Sequence, residues 1–533
     1  MWMSKQIPHC PAASAGVIRA RGTRAPLPAL ARSTNNGGGK KLMMPKTIKF
    51  FPLAIFLIAA LVAGPFFSLS SSAQSPVATT TASRNAALVA ATRDVLKETS
   101  EIRQLSILRP VRSSAQSRAE IERMIMKNLD EESTPAQMHA AEVTLKKLGL
   151  APADFQYRAL MVRLLTEQVA GYYDPKTGEF HLADWIDLDG QRPIMAHELT
   201  HALQDQHFNL RRFEHWPKGD SDAELAVHAL IEGDATLAMA LYVANNPLRA
   251  LAFLKSLGAA GMPSAELEKA PRALRETLLF PYQEGTDWTR SLYKQSGWER
   301  VSKAFTDLPQ STEQILHPEK YFAHEAPVKV TLPDLTKLLN AGGARSSAVR
   351  DQRSEFRSPR SESTRLAVSA QREQLWSAAT SRRFGLVAND TQGTERAAWK
   401  RLDYDVQGEW GFYLLLDEFL KSPVESRRAA AGWGGDRFAV YEGPKGGVLI
   451  ASLSAWDTEN DAREFFDAYV KRTGLRYPNA TPLSNTQSPS SSIRAFGTGE
   501  GDVVIELRGL RVLVVEGTSG RVDGRVLIRA LWQ

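Results

Sequence analysis

Two hydrophobic periodicities alternate along the first part of the chain. Apolar residues recur at helical spacing in four segments, and the predicted helices are 85–98, 118–129, 135–148 and 154–168. A short strand is predicted at 109–116. The period then shortens in the runs 169–173 and 179–183, which flank a turn containing Pro175 and ending at Gly178. This pattern predicts a β-hairpin.

Two longer helical patterns follow the hairpin. The first begins near Pro193, because proline is favoured in the first turn of a helix. The second starts after Asp220 and Asp222, which are good N-cap residues, and continues to about Leu241. Residues 250–330 are also predicted to be mostly helical.

The last part of the chain has a different pattern. Residues 336–395 are rich in Arg and Ser with poor apolar periodicity, which indicates a solvated linker or insertion. Beyond it, helices are predicted at 408–420 and 457–472, and strands at 437–442, 447–453, 503–507 and 511–515. The Ser-rich stretch 484–492 is predicted to be a loop. The expected fold class is α+β: a mostly helical domain at 85–335 with a small sheet or hairpin, and a small α+β domain at 396–533.

Charge and cysteine usage change the interpretation of the N-terminus. Residues 1–49 hold nine Lys and Arg and no acid, and the run 50–67 is apolar and followed by small residues up to Ala73. This order is typical of a secretory signal, so we expect 1–73 to be an extension with a signal peptide and 74–84 a flexible leader. The protein would then be periplasmic or extracellular; the alternative is an uncleaved membrane anchor.

Cleavage after Ala73 would leave 57 basic and 59 acidic residues, although the whole chain has a net charge of +7. We therefore expect no nucleic-acid partner, and membrane contact only through the N-terminal segment. Cys10 is the only cysteine, which excludes disulfides and a thiolate metal site after residue 73.

His197-Glu198-Leu199-Thr200-His201 is an H-E-x-x-H motif on the first of the two longer helices. Residues at i and i+4 share a helix face, so His197 and His201 can bind one metal ion. Glu198 lies beside them and can act as general base on a water bound to Zn²⁺. The alternative is a polar helix face on which both histidines form ordinary hydrogen bonds.

A catalytic zinc site needs a third protein ligand and an open position. His207 lies ten residues after His197, but Gln204 stands where the longer form of the motif has a glycine that lets the chain turn back. The second helix offers Glu224, His228 and Glu232 on one face. We prefer Glu232 and keep His207 as the alternative, since spacing alone does not separate the candidates.

The motif and Glu232 together resemble the gluzincin clan of zinc metallopeptidases. The segments 167–175, 197–208, 232–235 and 311–321 are similar to those of a group of uncharacterised exported bacterial proteins of this type. The resemblance implies a zincin-like domain that hydrolyses peptides or proteins. Many gluzincins have Asp four residues after the ligand Glu, where this chain has Thr236; Asp234 could support a ligand histidine instead.

Further roles in the site are open from sequence. His317, Tyr282 and Tyr172 are possible oxyanion donors, and His228 and Asp234 possible supports for the ligands. Strand 179–183 could be an edge strand that pairs with an extended substrate, or an ordinary sheet strand. Two rival functions stay open: a zinc hydrolase acting on a non-peptide amide or ester, and an exported non-catalytic binding module with a structural zinc.

Overall fold

The architecture comes from a computed structural model. It describes residues 81–168, 170–185, 188, 190–213, 216, 219–251, 265–341, 398–488, 491–518 and 524–533. The expectations for the extension and signal segment, for residues 74–80 of the leader and for most of the Arg/Ser-rich insertion lie outside these residues. The last four residues predicted as leader, 81–84, instead belong to the first helix.

The part of the chain before the insertion is mainly helical. Its main helices are α1 (Thr81–Arg103), α2 (Arg118–Glu132), α3 (Pro135–Leu148), α4 (Tyr157–Gln168), α5 (Arg192–Phe208), α6 (Ser221–Ala244), α7 (Ala265–Lys269), α8 (Arg272–Ala304), α9 (Thr312–Leu316) and α10 (Pro318–Phe322). Its strands are β1 (Arg112–Gln116), β2 (Gly171–Asp174) and β3 (Glu179–Ala183). The predicted helices, the short first strand and the hairpin are confirmed, with ends that differ by a few residues.

Helix α6 packs unusually closely against α8. A Cβ atom added to Gly233 would lie 2.2 Å from the carbonyl oxygen of Gly285, and one added to Gly285 would lie 2.3 Å from that of Ala229. Only glycine fits such an approach of two helix backbones. Helix α6 is long and apolar enough to cross a membrane, but 78% of its most apolar window is buried inside the protein. It is therefore the central core helix of this region.

The three-stranded sheet corrects one prediction. Its strand order is β1-β3-β2, with β3 parallel to β1 and antiparallel to β2. Strand β3 is therefore central, and the expectation that 179–183 is an edge strand for substrate is wrong. Strand β2 is the edge beside α5. The sequence does not reveal this because β1 comes from a segment more than sixty residues earlier in the chain.

The part after the insertion is built on a seven-stranded antiparallel sheet of order β4-β5-β6-β10-β9-β8-β7. Its strands are β4 (Lys400–Asp405), β5 (Trp433–Glu442), β6 (Val448–Trp456), β7 (Thr481–Ser488), β8 (Ser491–Gly497), β9 (Asp502–Arg508) and β10 (Arg511–Thr518). Its helices are α11 (Gly408–Leu420), α12 (Pro423–Ala430), α13 (Glu459–Arg476) and α14 (Gly524–Leu531). The α+β class is confirmed. The predicted loop 484–492 is wrong, since β7 and β8 occupy most of it.

The two regions that the sequence divides between domains share one hydrophobic core. Leu148, Leu230 and Trp288 belong to the same buried cluster as Trp410 and Val514. On the other face of the large sheet, residues 330–339 pack beside Leu527 and Leu531 of α14. Successive residues of β5 alternate between these two clusters, as the two-residue period of a strand requires.

Candidate metal centre

Helix α5 carries the H-E-x-x-H residues through the protein interior. Pro193 lies in its first turn, and Asn209 ends it in the left-handed conformation. The side chains of His197, Glu198 and His201 are almost completely buried, because the helix is covered on nearly every side. Buried imidazole and carboxylate groups need partners, and α6 supplies the first of them.

Glu232 on α6 meets both histidines. Its Oε2 lies 3.1 Å from Nε2 of His197 and 3.4 Å from Nε2 of His201, and the two Nε2 atoms are 3.0 Å apart. Two imidazole nitrogens and a carboxylate oxygen that converge on one point are a donor set suited to Zn²⁺. The sequence-predicted set His197, His201 and Glu232 is thus brought together in space.

A hydrogen-bonded chain orients His201. Nδ1 of His201 lies 2.9 Å from Oε1 of Gln204, and the Gln204 amide nitrogen donates to Oδ2 of Asp234 at 2.9 Å and to the Ile231 carbonyl at 3.0 Å. These two acceptors fix the orientation of the amide, so its oxygen accepts from Nδ1–H of His201. The Nε2 lone pair of His201 therefore points to the metal position.

Asp234 connects this chain to the first helix. Its Oδ1 lies 2.5 Å from Nε of Arg103, the last residue of α1, and both side chains are fully buried. The guanidinium of Arg103 also donates to the Ser302 hydroxyl and stacks on Trp298. Neither Gln204 nor Arg103 was predicted as a site residue. Gln204 had a local signal, since it lies three residues after His201 on the same helix face; Arg103 had none.

Glu198 is held beside the ligands by the edge strand. The backbone N–H of Tyr173 in β2 donates to Oε2 of Glu198 at 3.0 Å. Burial raises the pKa of Glu198 to about 8 in the metal-free protein. Burial alone would also raise the pKa of Glu232, but His201 and His197 lower it to about 2. The two carboxylates therefore differ: Glu232 is anionic at neutral pH, whereas Glu198 holds its proton until about pH 8.

Two other predicted residues lie close to this group. The ring of Tyr282, on α8, is stacked 6.2 Å from that of His197 and is buried. His228 lies one helical turn before Glu232, and burial lowers its pKa to about 4, so it is uncharged at neutral pH. Tyr172, in β2, donates its hydroxyl hydrogen to Gln116 instead.

The remaining predicted residues have partners elsewhere. Nε2 of His207 lies 2.7 Å from the Ser106 carbonyl, on the loop after α1. Nε2 of His317 lies 2.9 Å from Oε1 of Glu409, at the start of α11. Neither histidine is among the residues that converge on the metal position.

A second acidic group, Glu313, Glu325 and Asp457, encloses an ammonium group rather than an open position. Nζ of Lys320 lies 2.7 Å from Glu313, 2.7 Å from Glu325 and 2.5 Å from Asp457. Lys320 therefore supplies the positive charge that a metal ion would bring.

Comparison with known proteins covers only the C-terminal part. Residues 395–525 match the family model of a domain of unknown function, DUF8575. No curated protein and no solved structure matches the chain. The matched segment contains the large sheet and excludes α5 and α6, so the candidate metal centre lies outside it.

Proposed function

We propose that the protein is a zinc-dependent peptidase with a gluzincin-like site in a zincin-like domain. The observation that carries the proposal is the convergence of His197, His201 and Glu232 beside Glu198. Three protein ligands are the number that a catalytic zinc uses, whereas a structural zinc takes four. Among the residues described by the structure, no fourth ligand joins the group.

Each side chain has a role in this reaction. Zinc, when bound, would activate a water and polarise the scissile carbonyl. Glu198 takes the proton from the attacking water and returns it to the leaving amine. Its Tyr173 N–H bond keeps the carboxylate in place for both transfers. Gln204, Asp234 and Arg103 fix the ring of His201, and Tyr282 packs against that of His197.

A peptide substrate is favoured by the position of β2. This edge strand lies directly beside Glu198, which accepts from its Tyr173 N–H, and an extended peptide would pair with the remaining main-chain groups of the strand. The ligands and Glu198 are at most 2% exposed, so residues that cover them must move for a substrate to enter. Such movement is common in enzymes that exclude water during reaction.

The test is digestion of a mixed peptide library by the zinc-loaded protein and by its Glu198→Gln variant, with products identified by mass spectrometry. We expect cleavage by the first and at least about a 100-fold lower rate in the second, at equal zinc content. Glu101→Gln, at an exposed position of α1, is the matched control and should cleave normally. Equal rates in the Glu198 variant, or no cleavage by the zinc-loaded protein, would contradict the proposal.

A further inference from the structure

A cavity of about 170 Å³ lies between the two regions of the chain. Its walls come from α3, α6, α8, β4 and α11, and are mainly apolar, with Leu145, Leu148, Leu225, Leu278 and Phe438 among them. A cavity of about 150 Å³ with apolar walls can hold a benzene molecule. The space is therefore enough for one large side chain or a small molecule.

The cavity follows α6 toward the metal centre. Asp222 and His228 both line it, and they are six residues apart, which is about 9 Å along the helix axis. Glu232 comes one turn after His228. On the opposite wall, Pro281 lines the cavity and the next residue, Tyr282, is stacked on His197. On both helices a lining residue thus lies within one turn of a residue of the candidate metal centre, while His197, His201 and Glu232 themselves do not line the cavity.

Two carboxylates of β4 line the cavity without a matching cation. Asp403 and Asp405 lie two residues apart and point to the same side of the strand. Asp403 is 4% exposed, and within the described part of the chain it accepts one hydrogen bond, from the Tyr404 N–H, and has no ion pair. Arg401, on the same strand, is paired with Asp334 instead.

The other polar groups of the cavity do not supply positive charge either. Asp405 accepts from the N–H groups of Ser221 and Val406, and both oxygens of Asp222 are bound by Thr312. Burial raises the pKa of Asp403 to about 6 and that of Asp405 well above its ordinary value. A cationic group entering the cavity would offset this cost of burying carboxylates.

We propose that this cavity binds the side chain of a Lys or Arg that adjoins the scissile bond of a peptide substrate. The apolar walls suit the methylene stem of such a side chain, and Asp403 and Asp405 suit its charged head. The inference rests on the proposed peptidase function, and it adds a specificity for basic residues that the metal centre alone does not provide.

The first test compares peptides that differ only at the residue next to the scissile bond. With the zinc-loaded protein we expect kcat/KM to be at least about tenfold higher for Lys or Arg than for norleucine, which has the stem without the charge. In Asp403→Asn the ratio of kcat/KM for the Lys peptide to that for the norleucine peptide should fall to about one. Cleavage with no preference for basic residues would overturn the inference and leave the peptidase proposal standing.

The second test needs neither zinc nor cleavage. Calorimetry measures binding of Nα-acetyl-lysine amide, Nα-acetyl-norleucine amide and butylamine to the Glu198→Gln protein. We expect the lysine amide to bind and the norleucine amide to bind at least about tenfold more weakly. If the lysine amide binds here but the zinc-loaded protein of the first test cleaves no peptide, the peptidase proposal is contradicted and the cavity for a cationic group is supported. Binding of butylamine alone would overturn the assignment to a peptide side chain.

A third test fills the cavity with a larger side chain and leaves every carboxylate of the cavity in place. Thr277 is a half-buried lining residue of α8 whose hydroxyl donates to the Ala273 carbonyl. Thr277→Phe should abolish binding of the lysine amide, whereas the matched control Thr277→Ser keeps the hydroxyl and should bind it normally. Thermal unfolding of each variant shows that it is folded. Undiminished binding in a folded Thr277→Phe protein would place the ligand elsewhere and overturn the inference.

Discussion

At the scale of single residues, Gln204 has the most consequential position after the candidate ligands themselves. It accepts from His201, donates to Asp234, and through Asp234 joins the metal centre to Arg103 of α1. His197 has no equivalent support: its Nδ1 is buried without a hydrogen-bond partner among the described residues. The orientation of His201 therefore depends on hydrogen bonds, and that of His197 on packing against Tyr282.

Replacing Gln204 should weaken metal binding without removing a ligand. In Gln204→Leu we expect zinc affinity to fall by about 10- to 100-fold, because Nδ1–H of His201 loses its acceptor. Competition with a chromophoric chelator measures the affinity. Gln206→Leu is the control, because it removes hydrogen bonds to Leu108 and Arg109 on the same helix without touching a histidine. If both variants bind zinc like the unchanged protein, Gln204 does not orient His201.

The third ligand is tested by a pair of alanine variants. Glu232→Ala removes the carboxylate that meets both histidines, and should lower zinc affinity by more than about 100-fold. His207→Ala removes the alternative ligand, which is bonded to the Ser106 carbonyl, and should leave zinc content at one per chain. Metal analysis after dialysis measures the zinc content of both variants. Zinc lost from His207→Ala and kept in Glu232→Ala would make His207 the third ligand instead of Glu232.

The sequence predicts the candidate ligand set only partly from helical spacing, which relates the two histidines but not Glu232. His197 and His201 lie i and i+4, and Glu232 stands on the next long amphipathic helix. The support of these ligands is predicted less well. Asp234 reaches His201 only through Gln204, which from the sequence predicts no more than the absence of a sharp turn after His201. Arg103 is 131 residues from Asp234, and no spacing rule relates residues so far apart.

At the scale of elements, strand β5 is coupled to the start of α11 by one buried carboxylate. Asp436 accepts hydrogen bonds from the N–H groups of Gln407 and Gly408 and from the Trp433 indole. It thereby satisfies donors at the first turn of α11 that have no partner within the helix. The cost is a buried charge, and burial raises the pKa of Asp436 to about 6.

This pKa predicts how stability changes with pH. The pKa of Asp436 is 3.8 ordinarily and about 6 in the folded protein, so the folded state binds the proton more tightly. Protonated Asp436 therefore adds to the free energy of unfolding. This stabilisation is fully present below about pH 4 and is lost as the pH rises through 6. In Asp436→Asn, whose Oδ1 can still accept these bonds, melting temperature should fall less between about pH 4.5 and 7 than in the unchanged protein.

The control for this measurement is Asp94→Asn, at an exposed position of α1, which should leave the pH dependence unchanged. A parallel shift of the Asp436→Asn melting temperature at every pH would show that Asp436 is charged throughout the range.

The element boundaries themselves were mostly predictable. Strands β7 and β8 were not, because β7 and the start of β8 consist mainly of small polar residues without an alternating pattern.

At the scale of the whole molecule, the insertion begins and ends at one place. The side chain of Asn340 donates to the Trp399 carbonyl at 3.1 Å and accepts from the Trp399 N–H at 2.9 Å. These two bonds join the residues on either side of the segment 341–398. Leu339 and Trp399, next to these bonds, both pack in the cluster on the outer face of the large sheet.

Deletion of 345–390 should therefore leave the fold intact. Shortening the connection reduces the entropy cost of bringing Asn340 and Trp399 together, which stabilises the protein by about 1 kcal/mol. We expect a single cooperative thermal transition at an unchanged or slightly higher temperature. Adding Asn340→Ala to the deletion should lower that temperature. Loss of the cooperative transition in the deletion alone would show that the insertion is part of the folded core.

The buried pair Arg103–Asp234 also sets an order of assembly during synthesis. The chain grows from its N-terminus, so the guanidinium of Arg103 exists well before Asp234 is added. A cation cannot be buried without its counter-ion, and α1 therefore settles on α6 only after residue 234 has emerged. Strand β4 and helix α11 follow much later. When residue 234 has emerged, the nascent chain therefore contains every candidate metal ligand, while the cavity still lacks the residues that β4, β5 and α11 contribute to it.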